Sequence, residues 1–204
     1  MKSLSKFIIF SFIFLAAVAF AETPDPLKML RDMASTMISE LKKKSEAGDL
    51  RGNTKVVKSL VDSYLLPHVD VDYMAKRVIG RNGWMAASGS DQKDFSKEFT
   101  NTVIGTYSSA LSSYTNERME FNPIRGGYEK KECISVSSRI IRQQGPLVPV
   151  DYRLCLQGDE WKIVDFAVEG VSIINSFRSQ FQPLLGSGKS LKDIAVELKT
   201  RNGK

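Results

Sequence analysis

The stretch Trp161–Phe181, WKIVDFAVEGVSIINSFRSQF, constrains the fold more than any other part of this chain. Trp161, Ile163, Val164, Phe166 and Val168 are aromatic or β-branched, the side chains that suit a pleated, half-buried strand. Glu169-Gly170 interrupts the run, and glycine tolerates backbone angles closed to other residues. Ile173, Ile174, Phe177, Phe181 and Leu184 then recur at helical spacing. The segment predicts a strand that turns sharply into an amphipathic helix.

Around it the chain divides into a helical first half and a strand-rich middle. Leu27, Leu30, Ala34, Met37, Ile38 and Leu41 form one stripe that ends before Gly48. Val56, Val57, Leu60, Val61, Tyr64 and Leu65 form a second, stopped by Pro67. A short helix is predicted from Val71 to Ile79, and a long one from Asp91 to Tyr114 with Phe95, Phe99, Val103, Tyr107, Leu111 and Tyr114 along one side. Strands are predicted near 118–123, 133–143, 148–157 and 160–168, separated by turns at Gly126-Gly127, Gly145-Pro146 and Gly158-Asp159. Helices near 172–185 and 190–199 close the chain. The pattern gives an α+β fold: a curved antiparallel sheet of about four strands with helices packed on one face.

Lys2 and Lys6 precede an apolar run from Phe7 to Phe20 that ends in Ala19-Phe20-Ala21. A basic start, a short apolar core and an A-x-A site predict a secretory signal peptide over residues 1–21, cleaved near Ala21, and a single domain over 22–204. Cleavage lowers the formal charge from +6 to +4, because the segment carries Lys2 and Lys6 and no acid. Export makes nucleic acid an improbable partner; a mildly basic chain suits anionic membrane surfaces and equally a merely solubilising surface charge, so charge does not decide function. Export also favours disulfides. Cys133 and Cys155 fall in consecutive candidate strands joined by Gln144-Gly145-Pro146, at nearly opposite positions of the hairpin's polar face, so a structural cross-strand disulfide is expected.

The search for chemistry returns little. His68 is the sole histidine; His68-x-Asp70-x-Asp72 contains competent metal ligands but fits helix entry better, with Asp70 or Asp72 as cap. Ser172 lacks the second glycine of a nucleophile elbow and an adjacent base, and reads as the N-cap of the following helix. Asp165 and Glu169, flanked by Arg153, Lys162 and Arg178, are expected to be held by ion pairs rather than poised as acid and base. No catalytic residue, metal site or cofactor is predicted. From periodicity alone an ordinary core accounts for the apolar stripes.

The segments W-K-I-V-D, V-E-G-V-S and F-R-S-Q-F, from Trp161 to Phe181, resemble the C-terminal signature of the MlaC family of periplasmic phospholipid-binding, or toluene-tolerance auxiliary, proteins. Leu66-Pro67-His68-Val69-Asp70, Val78-Ile79-Gly80 with Trp84, Gln92 with Phe95 and Phe99, Thr106-Tyr107 with Leu111 and Tyr114, and Val150-Asp151-Tyr152-Arg153 match in the same order. The resemblance implies that helices and sheet enclose an apolar lipid pocket. It implies a non-enzymatic carrier that shuttles phospholipid between the outer and inner membranes to maintain outer-membrane lipid asymmetry. The implied partners are phospholipid, an inner-membrane ABC transporter complex with an MCE-domain subunit, and an outer-membrane lipoprotein–porin complex; the carrier itself is expected to be a monomer. Pocket residues expected from stripe and alternation are Leu60, Tyr64, Phe99, Val103, Leu111, Val136 and Phe166. Tyr107, Tyr152 and Val171 join them on matched motifs. Competing readings are an exported binding protein for another apolar ligand (a fatty acid or quinone-like molecule), a small lipid hydrolase, and an interaction protein with a filled core. Ile124-Arg125-Gly126-Gly127 and Lys130-Lys131 have no role that the resemblance supplies.

Overall fold

The computed structural model describes residues 23–203, and the predicted signal segment lies outside them. Helix α1 (Pro26–Glu46) starts at Asp25, whose carboxylate accepts hydrogen bonds from the Leu27 and Lys28 amides. Pro26 stands where its missing N–H costs nothing. Leu30, Met33, Ala34 and Leu41 form the buried stripe.

The second predicted helix is not continuous. It runs as α2 (Thr54–Leu60), a π-helical turn (Val61–Leu65) and a 3-10 turn (Leu66–His68). Pro67 supplies no donor and disfavours helical geometry before it, so the helix loosens and then tightens as it ends. Val69 then bridges in parallel to Ile163, and the Asp70 amide donates to Ile163 O at 2.9 Å. The Asp70 carboxylate accepts from Tyr73 N at 2.9 Å and caps α3 (Val71–Ile79). His68-x-Asp70-x-Asp72 is thus a passage from sheet edge to helix.

A one-and-a-half-turn helix α4 (Arg81–Met85), not foreseen from periodicity, follows Gly80 and leads to α5 (Gly89–Ser112), the long helix. The sheet is a meander in the order β1 (Arg118–Phe121), β2 (Cys133–Ile141), β3 (Val148–Gln157), β4 (Glu160–Val168), β5 (Val171–Ser172), all antiparallel. The two-residue β5 is a fifth strand beyond the four expected; it forms because Glu169 and Gly170 both take positive φ and fold the chain back on β4. Ser172 ends that strand and caps α6 (Ile173–Gly186), accepting from Asn175 N. Helix α7 (Leu191–Asn202) begins with a capping box between Ser190 and Asp193.

On β4 the apolar residues change parity, from Trp161 and Ile163 to Phe166 and Val168. A bulge explains this. Arg153 pairs with Asp165 while Leu154 pairs with Ile163, leaving Val164 as the extra residue. One inserted residue exchanges the faces of all that follow, so both apolar sets point inward. Cys133 and Cys155 stand directly opposite in the β2–β3 register and are bonded, as the hairpin alternation predicts.

The expectation that ion pairs hold Asp165 is corrected. Its carboxylate accepts from Ser172 Oγ at 2.7 Å and Ile174 N at 3.2 Å, reinforcing the start of α6, while Lys162 pairs with Glu160. A carboxylate gains more from amide donors at a helix N-terminus than from solvated surface cations. Among the described residues, no helix is long and apolar enough to cross a membrane.

Candidate functional site

The buried side chains fall into three clusters. One gathers α3, α5, α6 and α7 around Phe95, Phe99, Phe177 and Phe181. The second packs α1 on the inner face of the sheet, over Val136, Tyr152, Leu154, Trp161 and Ile163. The third joins α1, α2 and α5 around Leu41, Val57, Leu60 and Ile104. Helix α5 contributes to the first and third, and half-buried apolar side chains fill the ground between all three.

That ground is an apolar seam. Phe166 packs against both the helical and the sheet cluster, Leu65 against the sheet and α1–α2 clusters, and Val69 against the helical and sheet clusters. Tyr107 of α5 meets Phe166 edge to face, with ring centroids 6.4 Å apart. Phe121 and Tyr152 face each other at 6.2 Å further along the sheet.

The ten expected pocket residues distribute unevenly over this arrangement. Phe99 lies deep in the helical cluster, edge to face with Phe177 at 5.3 Å. Val103 and Tyr107 are half-buried against that cluster, and Tyr64 and Leu111 against the third, in which Leu60 is buried. Val136 and Tyr152 are buried in the sheet cluster, with Phe166 at its border. Val171 departs from the expectation of enclosure: it is 56% exposed on β5. The turn at Glu169-Gly170 sets it beside Val168 on the sheet's last strand, where no further strand covers it. Two further seam residues are not among the ten: Leu65, the last residue of the second apolar stripe, which the π-helical turn places, and Val69, which has no periodic signature and is set by the bridge to Ile163.

The seam carries no charge. Burial pushes the Tyr152 hydroxyl up to about 12, against the opposing effect of its hydrogen bond with Ser138. Burial also raises Tyr107. Both phenols therefore stay neutral under ordinary conditions. Ser138, buried on the same face, donates to Val150 O at 3.3 Å. Three crevices open elsewhere on the surface, none lined by any of the ten residues. The largest, about 710 Å³, lies between α3–α4 and α6–α7, and two smaller ones of about 290 and 270 Å³ flank Asp70 and the disulfide. Among the described residues, no group of three metal-binding side chains is placed to hold an ion.

The family profile described as "MlaC protein" matches residues 31–200. The chain belongs to the MlaC family. It is 28% identical over 141 residues to the toluene tolerance protein Ttg2D of Pseudomonas putida, an alignment covering 66% of this chain and 65% of that protein. It is 23% identical over 159 residues to the intermembrane phospholipid transport system binding protein MlaC of Haemophilus influenzae, covering 76% and 72%. The fold is that of the phospholipid-binding protein of Ralstonia solanacearum, solved in complex with a phospholipid. The match has a TM-score of 0.80 at 24% identity and covers 88% of this chain and 98% of that one. Of the segments that resemble the family, Tyr107 on α5 and Phe166 on β4 meet at the seam and Tyr152 on β3 lines the sheet cluster beside it, whereas Val78, Ile79, Trp84, Phe95 and Phe99 lie within the helical cluster.

Proposed function

We propose that the chain is a periplasmic phospholipid carrier, exported by cleavage near Ala21, that moves lipid between the outer and inner membranes and so maintains outer-membrane lipid asymmetry. The observation that carries this reading is the neutral apolar seam between helices and sheet, spanned by Tyr107 and Phe166, in a member of a family whose relatives are named for phospholipid binding and transport. Acyl tails would lie along Leu60, Tyr64, Phe99, Val103, Leu111, Val136 and Tyr152, with Val171 at the solvent rim. An inner-membrane ABC transporter complex with an MCE-domain subunit and an outer-membrane lipoprotein–porin complex would be donor and acceptor.

Burying one methylene is worth about 0.8 kcal/mol, so two acyl chains amount to roughly 20 kcal/mol withheld from water. Lipid escape into the aqueous phase is then negligible, while exchange with a bilayer swaps one apolar environment for another. Such a carrier needs no catalysis and no energy source of its own. Direction is set by the complexes it visits. The closed contact between Tyr107 and Phe166 means that loading requires the α5 and β4 side chains to part, which half-buried residues permit at lower cost than a close-packed core.

Native mass spectrometry of the processed protein from its own periplasm, followed by solvent extraction, tests the reading. A stoichiometric adduct containing phosphorus and two acyl chains is expected. A fatty acid or quinone adduct would replace phospholipid with another apolar ligand, and lyso-products accumulating with time would point to hydrolysis. Bare protein that takes nothing from liposomes would reduce the seam to ordinary core.

A further inference from the structure

The loop 122–132 carries Arg125 and the Lys130-Lys131 pair, and the apolar seam explains neither. The loop is firmly seated. Tyr128 stands edge to face with Trp161 at 6.5 Å, Lys131 N donates to Tyr128 O at 3.0 Å, and Leu156 N donates to Glu132 O at 2.8 Å. Between the loop and the start of the β2–β3 hairpin, Cys133–Ser135 and Arg153, lies the crevice of about 270 Å³. Arg125, Lys131, Arg153 and Ser135 line it, with Ile124 and Cys133 as its apolar wall.

Two guanidinium groups and an ammonium converge there, and no carboxylate is among the lining residues. Neither arginine lies within 4.0 Å of a carboxylate among the described residues. Three nearby acids have hydrogen-bond partners outside the crevice. Glu129 accepts from Tyr128 N, Asp151 from Ser137 Oγ, and Asp165 from Ser172 Oγ and Ile174 N. The backbone adds a donor. β1 has ended at Phe121, opposite Ser138, and the last bond on that side joins Asn122 N to Ser137 O. Alternation along an antiparallel strand turns the Ser135 amide to the same side as Ser137, toward the loop and away from β3. Glu129, outside the crevice, offsets part of the Lys131 charge, but the two guanidiniums have no such partner among the described residues; like charges repel, and their convergence on a free amide and a hydroxyl suits an anion that joins them.

We propose that the crevice formed by Arg125, Lys131, Arg153 and Ser135 is an anion site that takes a phosphate group. Paired guanidiniums suit the planar, bidentate recognition of phosphate oxygens, and the volume leaves room for a short ester substituent against Ile124. The phosphate comes from one of two sources, a lipid head group at a membrane surface or a soluble phosphomonoester. The assignment does not rest on the carrier reading, since Arg125, Lys131, Arg153 and Ser135 take no part in the apolar seam.

The test is an isotope-labelled titration of the processed, disulfide-intact protein followed by NMR. The probes are glycerol 3-phosphate, inorganic phosphate and vesicles of phosphatidylglycerol in phosphatidylcholine. At least one probe should shift the Ser135 amide and the Arg125 and Arg153 Nε–H signals saturably. The R125S/R153S double variant should bind at least tenfold more weakly with an unchanged melting temperature and unchanged lipid content. Saturation by glycerol phosphate alone assigns a soluble ligand, and saturation by vesicles alone assigns a head group. Equal, non-saturating shifts at Lys42, Lys43 and Lys44 would reduce the effect to charge screening and overturn the site. So would saturation by a poly-glutamate peptide while both phosphate sources leave the signals unmoved.

Discussion

Tyr107 on α5 and Phe166 on β4 meet edge to face at 6.4 Å, and this contact joins the helical layer to the sheet across the apolar seam. Only the bulge at Val164 lets Phe166 reach it. Without the extra residue, strict alternation from Trp161 and Ile163 would aim Asp165 inward and Phe166 at solvent. The residue most central to the proposed lipid site is therefore positioned by a one-residue irregularity two places away.

Phe166→Glu tests that position. A carboxylate there must be desolvated against acyl tails, a penalty of several kcal/mol. The variant is expected to come from the periplasm with less than a tenth of the wild-type lipid content, measured by native mass spectrometry, while keeping its circular dichroism spectrum. Full lipid occupancy would place the tails elsewhere.

The disulfide makes a second prediction. Cys133 and Cys155 are 22 residues apart in sequence, and closing a loop of that size stabilises by about 3 kcal/mol in the chain-entropy view. The C133S/C155S double variant should melt roughly 6–12 °C lower for a chain of this length, with its lipid content retained at 25 °C. Calorimetry with and without reductant reads the same difference in the wild type.

Two glycine substitutions should act in opposite directions. Gly170 has φ +80° and Gly105 lies within α5; neither has an atom within 4 Å of where a Cβ would stand. Gly170→Ala brings only backbone strain, about 1 kcal/mol of destabilisation. Gly105→Ala, on the exposed side of a helix, should stabilise by a similar amount, about 0.5–1 kcal/mol. Urea unfolding midpoints that move in the same direction would contradict the assigned backbone geometry.

His68 should leave a mark on the pH dependence. Burial lowers its pKa below 6.5, and the nearby Lys162 charge lowers it further. The unfolded chain then binds a proton more readily than the folded one, so stability rises as pH climbs through the window just below 6.5. Between pH 5 and 7 the melting temperature of the wild type should rise more than that of His68→Gln. Parallel curves would show that His68 does not contribute.

Most of the architecture is legible in the chain because its periodicities are long and its punctuation clear. The α1 stripe, the α5 stripe and the Gly145-Pro146 hairpin each specify an element without help from the rest. The Cys133–Cys155 register follows from alternation alone. Ser172 read correctly as a cap because short polar side chains next to apolar runs have few other uses, and of the two candidates Asp70 and Asp72 the structure selects Asp70. Less legible are places where a local signal meets a tertiary constraint. The second helix looks continuous in sequence, yet it breaks into π and 3-10 turns ahead of Pro67. Asp165 looks destined for ion pairs with neighbouring cations, yet a helix start folded over it offers better donors.

The sequence by itself determined which residues are apolar and, where an element is regular, which face of it they occupy. These properties follow from spacing, which local backbone geometry converts directly into faces. Only the tertiary structure decided which faces meet. It brought Tyr107 to Phe166, 59 positions apart in sequence, left Val171 exposed at the end of the sheet, and gathered Arg125, Lys131 and Arg153 around one crevice. Periodicity fixes direction within an element, whereas contact between elements depends on bulges, turns and packing that no single segment encodes.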